Sequence, residues 1–186
     1  MTTWNLDTAH TQVSFSAKHM MVTTVRGVFH DVSGTIELDE ADPTRSRGEF
    51  RVAPASLDTN FEARDAHLRS ADFFDAERYP DITFRSTRVE AAGKDRYTVS
   101  GDLTIRDVTA PATFDVELEG IVPGMTGGRH AGLSATGKIQ RETWGLNWNV
   151  ALEQGGWLVG KEIKLEIAIA ADEVAATEPE LATAAS

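Results

Sequence analysis

Ala110-Pro-Ala-Thr-Phe-Asp-Val-Glu-Leu-Glu-Gly120 sets Ala112, Phe114, Val116 and Leu118 against Thr113, Asp115, Glu117 and Glu119. Successive side chains of an extended chain point to opposite faces, so this segment has one dry side and one wet side. That is the pattern of a β-strand lying over a core. The same alternation recurs outward in both directions. Upstream, Val13 and Phe15 alternate with Ser14 and Ser16, Ile36 and Leu38 with Thr35, Glu37 and Asp39, and Phe50 and Val52 with Glu49 and Arg51. Ile82 and Phe84, then Tyr97, Val99, Leu103 and Ile105 with Gly101 in phase, lead up to it. Downstream come Leu133, Ala135 and Ile139, and a last strand with Ile163, Leu165, Ile167 and Ile169 set against Glu162, Lys164 and Glu166.

Eight or nine strands are expected. Turn signals at Asp39–Pro43, Ala92–Asp95, Pro123–Gly128 and Gln154–Gly156 are short enough for antiparallel neighbours, whereas parallel pairs would need long crossovers. Gly34, Gly101 and Gly137 fall in dry-face positions, where glycine is justified by a bend or by close approach of something bulky. Repeated across strands, this predicts barrel curvature, and closure also removes the exposed edges of so many amphipathic strands.

One stretch breaks the rhythm. Asn60-Phe-Glu-Ala-Arg-Asp-Ala-His-Leu-Arg-Ser-Ala-Asp-Phe-Phe-Asp-Ala-Glu-Arg-Tyr-Pro80 carries three phenylalanines and the densest cluster of charges. Phe61, Ala63 or Arg64, Leu68 and Ala71 fit a short helix near residues 60–72, with Asn60 as its N-cap. An excursion of this kind out of an all-β chain is expected to lid something.

The 186 residues suffice for one domain with a sizeable core. The formal net charge of −11 argues against nucleic acid and anionic membrane surfaces as partners unless a strong basic patch exists, and none is visible. No apolar run is long enough to span a bilayer and no signal-peptide pattern opens the chain, so a cytoplasmic location is expected. The absence of cysteine removes disulfides, thiolate nucleophiles and thiolate metal sites. Residues 1–172 are read as the domain and residues 173–186, acidic and alanine-rich, as a disordered tail.

Seven short strings in order resemble the YceI-like family of lipocalin-like, polyisoprenoid-binding proteins. They are Trp4-Asn-Leu-Asp-Thr-Ala-His10-Thr-Gln-Val-Ser-Phe15 followed by His19, Gly27-Val-Phe29 with Gly34, Ser56-Leu-Asp-Thr59, Arg64-Asp-Ala-His-Leu68 with Phe73-Phe74, Tyr79-Pro-Asp-Ile-Thr-Phe84-Arg-Ser-Thr87, Gly101-Asp-Leu-Thr-Ile-Arg-Asp-Val-Thr109, and Arg141-Glu-Thr-Trp-Gly145-Leu. The sequence departs from common family wording at Asp107, where a glycine often stands. The resemblance implies an extended eight-stranded antiparallel β-barrel with a helical insertion, enclosing an apolar tunnel for a long prenyl or acyl chain. It also suggests a homodimer.

A barrel of eight strands is wide enough either to be filled by its own side chains or to enclose one slender ligand. Small residues on the dry faces favour the second outcome. The tunnel wall is assigned to Val13, Phe15, Phe29, Ile36, Phe50, Phe84, Leu103, Ile105, Phe114 and Leu133. The mouth and lid are assigned to His19, Phe61, Arg64, His67, Leu68, Phe73 and Phe74, with Arg69 adding a cation for an anionic head group. The expected partner is a polyisoprenoid, an isoprenoid quinone or a fatty-acid-like lipid, held without a cofactor, a metal or covalent chemistry.

Plainer readings stand beside these. Arg64 and Asp65 on a short helix serve more often as a structural pair than as ligand contacts. A catalytic role for Arg64, Asp65 and His67 is disfavoured because residues two apart on a helix do not face one another and no nucleophile motif accompanies them. The five histidines lack metal-ligand spacing, although distant strands could still bring His10, His19 and His67 together. Trp144 and Trp148 are expected on one face of a strand, packing more than stacking on a ligand. An enzyme of prenyl or lipid metabolism, or a stress-response module with an empty barrel, are the rival functions.

Overall fold

The alternating segment around Phe114 becomes the middle of a long strand whose inward Ala112 and Phe114 are buried while Thr113 and Asp115 face water. The computed structural model describes residues 1–125 and 127–175. In chain order the elements are β1 (Thr2–Leu6), β2 (Gln12–His19), β3 (Thr23–Phe29), β4 (Val32–Leu38), β5 (Arg47–Val52), β6 (Leu57–Asp58), α1 (Glu62–Arg69), β7 (Ile82–Gly93), β8 (Arg96–Ile105), β9 (Val108–Pro123), β10 (Arg129–Gln140) and β11 (Val159–Glu173). The acidic tail expected at the C-terminus lies, from residue 176 on, outside the described residues. Asp172 and Glu173 are in β11 itself.

Strands run in the order β1-β4-β5-β7-β8-β9-β10-β11, and β1 pairs back to β11 through Trp4↔Glu173 and Leu6↔Ala171. Every pairing is antiparallel, so the result is a closed eight-stranded barrel. β11 is much longer than β1. Its Val159–Ala168 portion pairs with β2 instead, and β2 passes the sheet on to β3 and β6. β1 with β2, β4 with β3, and β5 with β6 are therefore three long barrel strands, each broken in the middle.

Breaks release backbone groups, and nearby side chains meet them. At the first break Asp7 Oδ1 accepts the Ala9 N–H at 2.9 Å, and Thr11 Oγ1 bonds both the carbonyl and the N–H of Ala170 at 3.1 Å. At the second, Ser56 Oγ accepts the N–H groups of His30 and Asp31 at 3.2 and 3.0 Å.

The breaks give the barrel two unlike ends. At one, the β1–β11 seam shuts the cylinder. At the other, β6 pairs among the described residues with β3 alone, and the gap is covered by α1, by the Ser70–Asp81 segment and by the connection between β10 and β11. The helix occupies the expected stretch, but its N-cap is Phe61, without a side-chain cap, and Asn60 sits in the left-handed region at φ 60°.

Arg129 fastens the seam. Its guanidinium stacks 5.2 Å from the Trp4 ring and donates to both oxygens of Glu173 at 2.8 and 2.9 Å. These hydrogen bonds hold the Glu173 carboxyl below the usual carboxylate range. A depressed folded-state value adds stability above the unfolded value, and that stability is lost as pH falls through the folded one. Glu173→Gln is therefore expected to lower the thermal midpoint at neutral pH and to flatten its decline on acidification. Wild-type and variant curves that fall in parallel would contradict the seam's role.

Candidate functional site

Two cavities lie end to end along the barrel axis. The one nearer the seam has a volume of about 180 Å³ and is ringed by Ile36, Phe50, Phe84, Phe114, Leu133 and Ile169. The one nearer the helical lid has about 420 Å³ and is walled by Phe15, Phe29, Leu103, Ile105, Leu165 and the lid residues. They share Val13, Val52 and Ile167, of which Val13 and Ile167 are register partners on β2 and β11. The space is thus one apolar tunnel with a waist.

The tunnel stays open because its phenylalanines lie flat against the wall. Each of four rings covers a glycine of the neighbouring strand: a Cβ built at Gly27, Gly34, Gly101 or Gly137 would come within 2.4 Å of Phe15, 2.8 Å of Phe50, 2.5 Å of Phe84 or 2.6 Å of Phe114. The glycines do not enlarge the lumen directly, as the sequence suggests; they make room for rings that would otherwise point at the axis. Phe84 and Phe114 then meet edge to face at 5.2 Å, and Phe15 and Phe29 meet at 5.2 Å with their planes tilted by 41°. Gly137→Ala is expected to push Phe114 into the lumen and weaken binding of a long apolar chain by about tenfold, a cost of about 1.4 kcal/mol. Unchanged affinity would show that the ring has another way to yield.

The lid is held in place by polar contacts of α1 and its flanks. Asp65, 4 % exposed, accepts the Thr59 backbone N–H at 3.0 Å and the Thr59 hydroxyl. Arg64 donates to Thr59 Oγ1 at 2.7 Å and to its carbonyl at 2.8 Å, and Arg69 donates to the Leu57 carbonyl at 2.7 Å. Arg69 therefore ties α1 to β6, and Arg64 ties it to Thr59 just after β6. His67 pairs with Asp72 at 2.9 Å and stacks edge-on against Phe73 and Trp148 at 5.1 and 4.5 Å. Arg64, Asp65 and His67 form no mutual constellation; each answers a different neighbour.

Arg141 is the residue that sequence reading passes over. It is 4 % exposed, and its guanidinium donates to the carbonyls of Gly160 at 2.9 Å, Trp148 at 3.0 Å, Val159 at 3.4 Å and Leu146. Burial pushes its pKa down, against the opposing pull of Glu142. Arg141–Trp144 is a 3-10 turn ended by Gly145 at φ 75°, not part of a strand. Trp144 is buried and donates Nε1–H to the Leu103 carbonyl at 2.8 Å, whereas Trp148 lies on the wall of the larger cavity. The apparent strand alternation of Trp144, Leu146 and Trp148 comes from a loop wrapped over Arg141.

All seventeen residues assigned from sequence to the tunnel, mouth and lid lie on the wall of one cavity or the other. The histidines divide. His19 and His67 share the larger cavity, but His10 pairs with Asp7 at 2.6 Å and His30 faces Asp58 at 3.7 Å. Hydrogen bonding to His10 holds the Asp7 carboxyl below its ordinary range. Asp7, His130 and Asp172 offer ligand atoms within 4.8 Å of one another, the one such grouping among the described residues. Those atoms already answer local partners, since His130 Nδ1 lies 2.7 Å from Asp172. No helix among the described residues is long and apolar enough to cross a membrane.

A family model described as "YceI-like domain" matches residues 4–171. A UPF0312 protein of Staphylococcus aureus (strain USA300) is 40% identical over 167 residues, covering 89% of this chain and 95% of that protein. A Campylobacter jejuni YCEI protein superposes with a TM-score of 0.73 at 30% identity, covering 85% of this chain and 90% of that one. A polyisoprenoid binding domain from Saccharophagus degradans superposes with a TM-score of 0.63 at 14% identity, covering 94% of this chain and 100% of that one, a likeness of fold.

Proposed function

Because the chain belongs to the YceI-like domain family, we propose that it sequesters or carries one long apolar chain, an isoprenoid or a related amphiphilic lipid, along the barrel axis and leaves it chemically unchanged. The observation that carries this reading is the apolar tunnel itself: two cavities joined at a waist, walled almost throughout by aliphatic and aromatic side chains. A void of that kind is costly to leave empty and offers few polar groups to order water, so its natural occupant is hydrocarbon. The description of the Saccharophagus degradans neighbour as polyisoprenoid binding supports the ligand class.

Affinity would come from length. Each buried CH₂ contributes on the order of 0.8 kcal/mol, so one five-carbon unit contributes about 4 kcal/mol before ordering costs. A polar head would remain at the lid end beside His19, Arg64 and His67, which line the larger cavity. Because Arg64 already donates to Thr59, the head group is held loosely and the chain decides affinity.

The test is to purify the protein from its own host, extract it with organic solvent and identify what is released by mass spectrometry. The expected result is one long-chain lipid per protein, recovered at its intact mass. A protein that releases nothing, and that after delipidation takes up no prenyl chain, would contradict the proposal. Conversion of an added lipid, abolished by His67→Ala, would show an enzyme instead.

A further inference from the structure

The larger cavity reaches the surface beside an apolar apron. Phe61, 59 % exposed, is on its wall, as are Lys18, His19, Leu158 and Val159. Just outside these lie Met20, Met21 and Val22 in the β2–β3 turn and Val150 and Trp157 in the loop before β11, all strongly exposed. The turn and loop form one surface. The Met20 N–H donates to the Leu158 carbonyl at 2.8 Å, and the Met21 side chain lies 3.2 Å from where a Cβ of Gly156 would stand.

The backbone marks the turn as unusual. Met20 and Met21 both occupy the left-handed region, at φ 50° and 68°, in the hairpin positions that favour Asn-Gly. Two long apolar side chains are held out toward solvent at a cost in backbone strain that asparagine and glycine would avoid.

We infer that this rim is a docking surface for a lipid bilayer, through which an apolar ligand enters and leaves the barrel. Three features choose a bilayer over a second copy of the chain. First, the rim continues directly into the cavity wall, so a chain passing from a membrane would never cross water. Second, the patch has the make-up of an interfacial belt: Trp157 carries Lys161 5.9 Å from its ring, an apolar body with a cation at its edge. Third, in a chain of net charge −11, the stretches 17–26 and 146–161 hold Lys18, Arg26 and Lys161 against the carboxylate Glu153, with Lys161 also paired to Glu142 at 3.2 Å. Lipid phosphates would accept Lys18 and Arg26, whereas a two-fold contact between copies would set these like charges face to face.

The inference goes beyond the lipid-binding reading and is tested apart from it. The full chain, delipidated, is floated with phosphatidylcholine vesicles, and prenyl-chain uptake is measured separately in the same preparations. Met20→Asn with Met21→Gly suits the turn better than the native pair and should fold at least as well. It is expected to reduce vesicle binding at least tenfold while leaving ligand uptake intact. Acyl chains brominated near the head group should quench tryptophan emission on docking, and Trp157→Phe should remove that quenching. A wild-type chain that does not float would overturn the inference whatever its ligand affinity. So would a stable dimer in solution that this double variant splits, because the rim would then be covered by a second copy. Flotation without ligand uptake would uphold the docking surface and count against the lipid-carrying function alone.

Discussion

Ala135→Phe is expected to raise the Kd for a long prenyl chain by about 100-fold or more while leaving the barrel folded. Ala135 is 5 % exposed, points into the seam-side cavity, and stands in register between Val116 on β9 and Ile167 on β11. Ile167 lines both cavities, so a phenyl ring at 135 would intrude beside the residues that the two share. Excluding even one five-carbon unit from the seam-side cavity forfeits about 4 kcal/mol of apolar burial, enough for the stated loss after ordering costs. Overpacking a filled core costs about 1–3 kcal/mol, whereas filling an empty cavity is neutral or stabilising. The thermal midpoint therefore gives an independent reading. An unchanged or raised midpoint with lost long-chain binding supports the tunnel. A sharp fall in the midpoint would mean that the space is not there. A short prenyl chain that fits the lid-side cavity alone should bind the variant nearly as well as the wild type.

Arg141→Met should cost about 3–5 kcal/mol of stability, the largest expected from any single position outside the apolar core. Methionine fills similar volume, so the loss isolates the hydrogen bonds. Four carbonyls, those of Leu146, Trp148, Val159 and Gly160, converge on one buried guanidinium; Val159 keeps the Asn149 side-chain amide at 2.8 Å as a donor, and the other three lose the arginine's. For a chain of this size the thermal midpoint should drop by roughly 10 °C. The damage should be local first, with backbone hydrogen exchange rising through Leu146–Gly160 before the barrel strands are affected. Arg141→Lys, which keeps the charge but not the planar fork of donors, should recover only part of the loss. A methionine variant within 1 kcal/mol of wild type would show that the loop is held by Trp144 and Leu146 rather than by the arginine.

The barrel is legible in the sequence because alternation reports directly which side chains face inward. Phe114 and Leu133 could be assigned to the lumen from their neighbours alone, and the glycines at 34, 101 and 137 pointed to curvature. What alternation cannot report is where a strand changes partner. Leu6 and Val13 belong to one broken barrel strand, but the break at Asp7–Thr11 depends on β11 being long enough to pair with both halves. The pairing of each phenylalanine with a glycine was hidden for a similar reason, since Gly101 and Phe84 are neighbours only across a sheet.

The lid misled more. Trp144, Leu146 and Trp148 have strand spacing, yet a buried arginine collects the carbonyls between them, and the one local sign of this is Gly145, needed where the 3-10 turn ends in a left-handed residue. Asn60 has the chemistry of an N-cap but takes the left-handed bend one residue earlier. In both places a side-chain contact a few residues away set the local conformation, Asp65 with Thr59 in one and Arg141 with the loop carbonyls in the other.

The central claim is that the hydrophobic core of this barrel is arranged around hydrocarbon from elsewhere. Titrating the delipidated protein with prenyl alcohols of increasing length, under conditions that keep each ligand monomeric, tests it most directly. The account predicts one ligand per chain and an affinity that climbs steeply with each added isoprene unit until the tunnel is full, then levels off. Affinity indifferent to chain length, or binding that survives Ala135→Phe at every length, would contradict it.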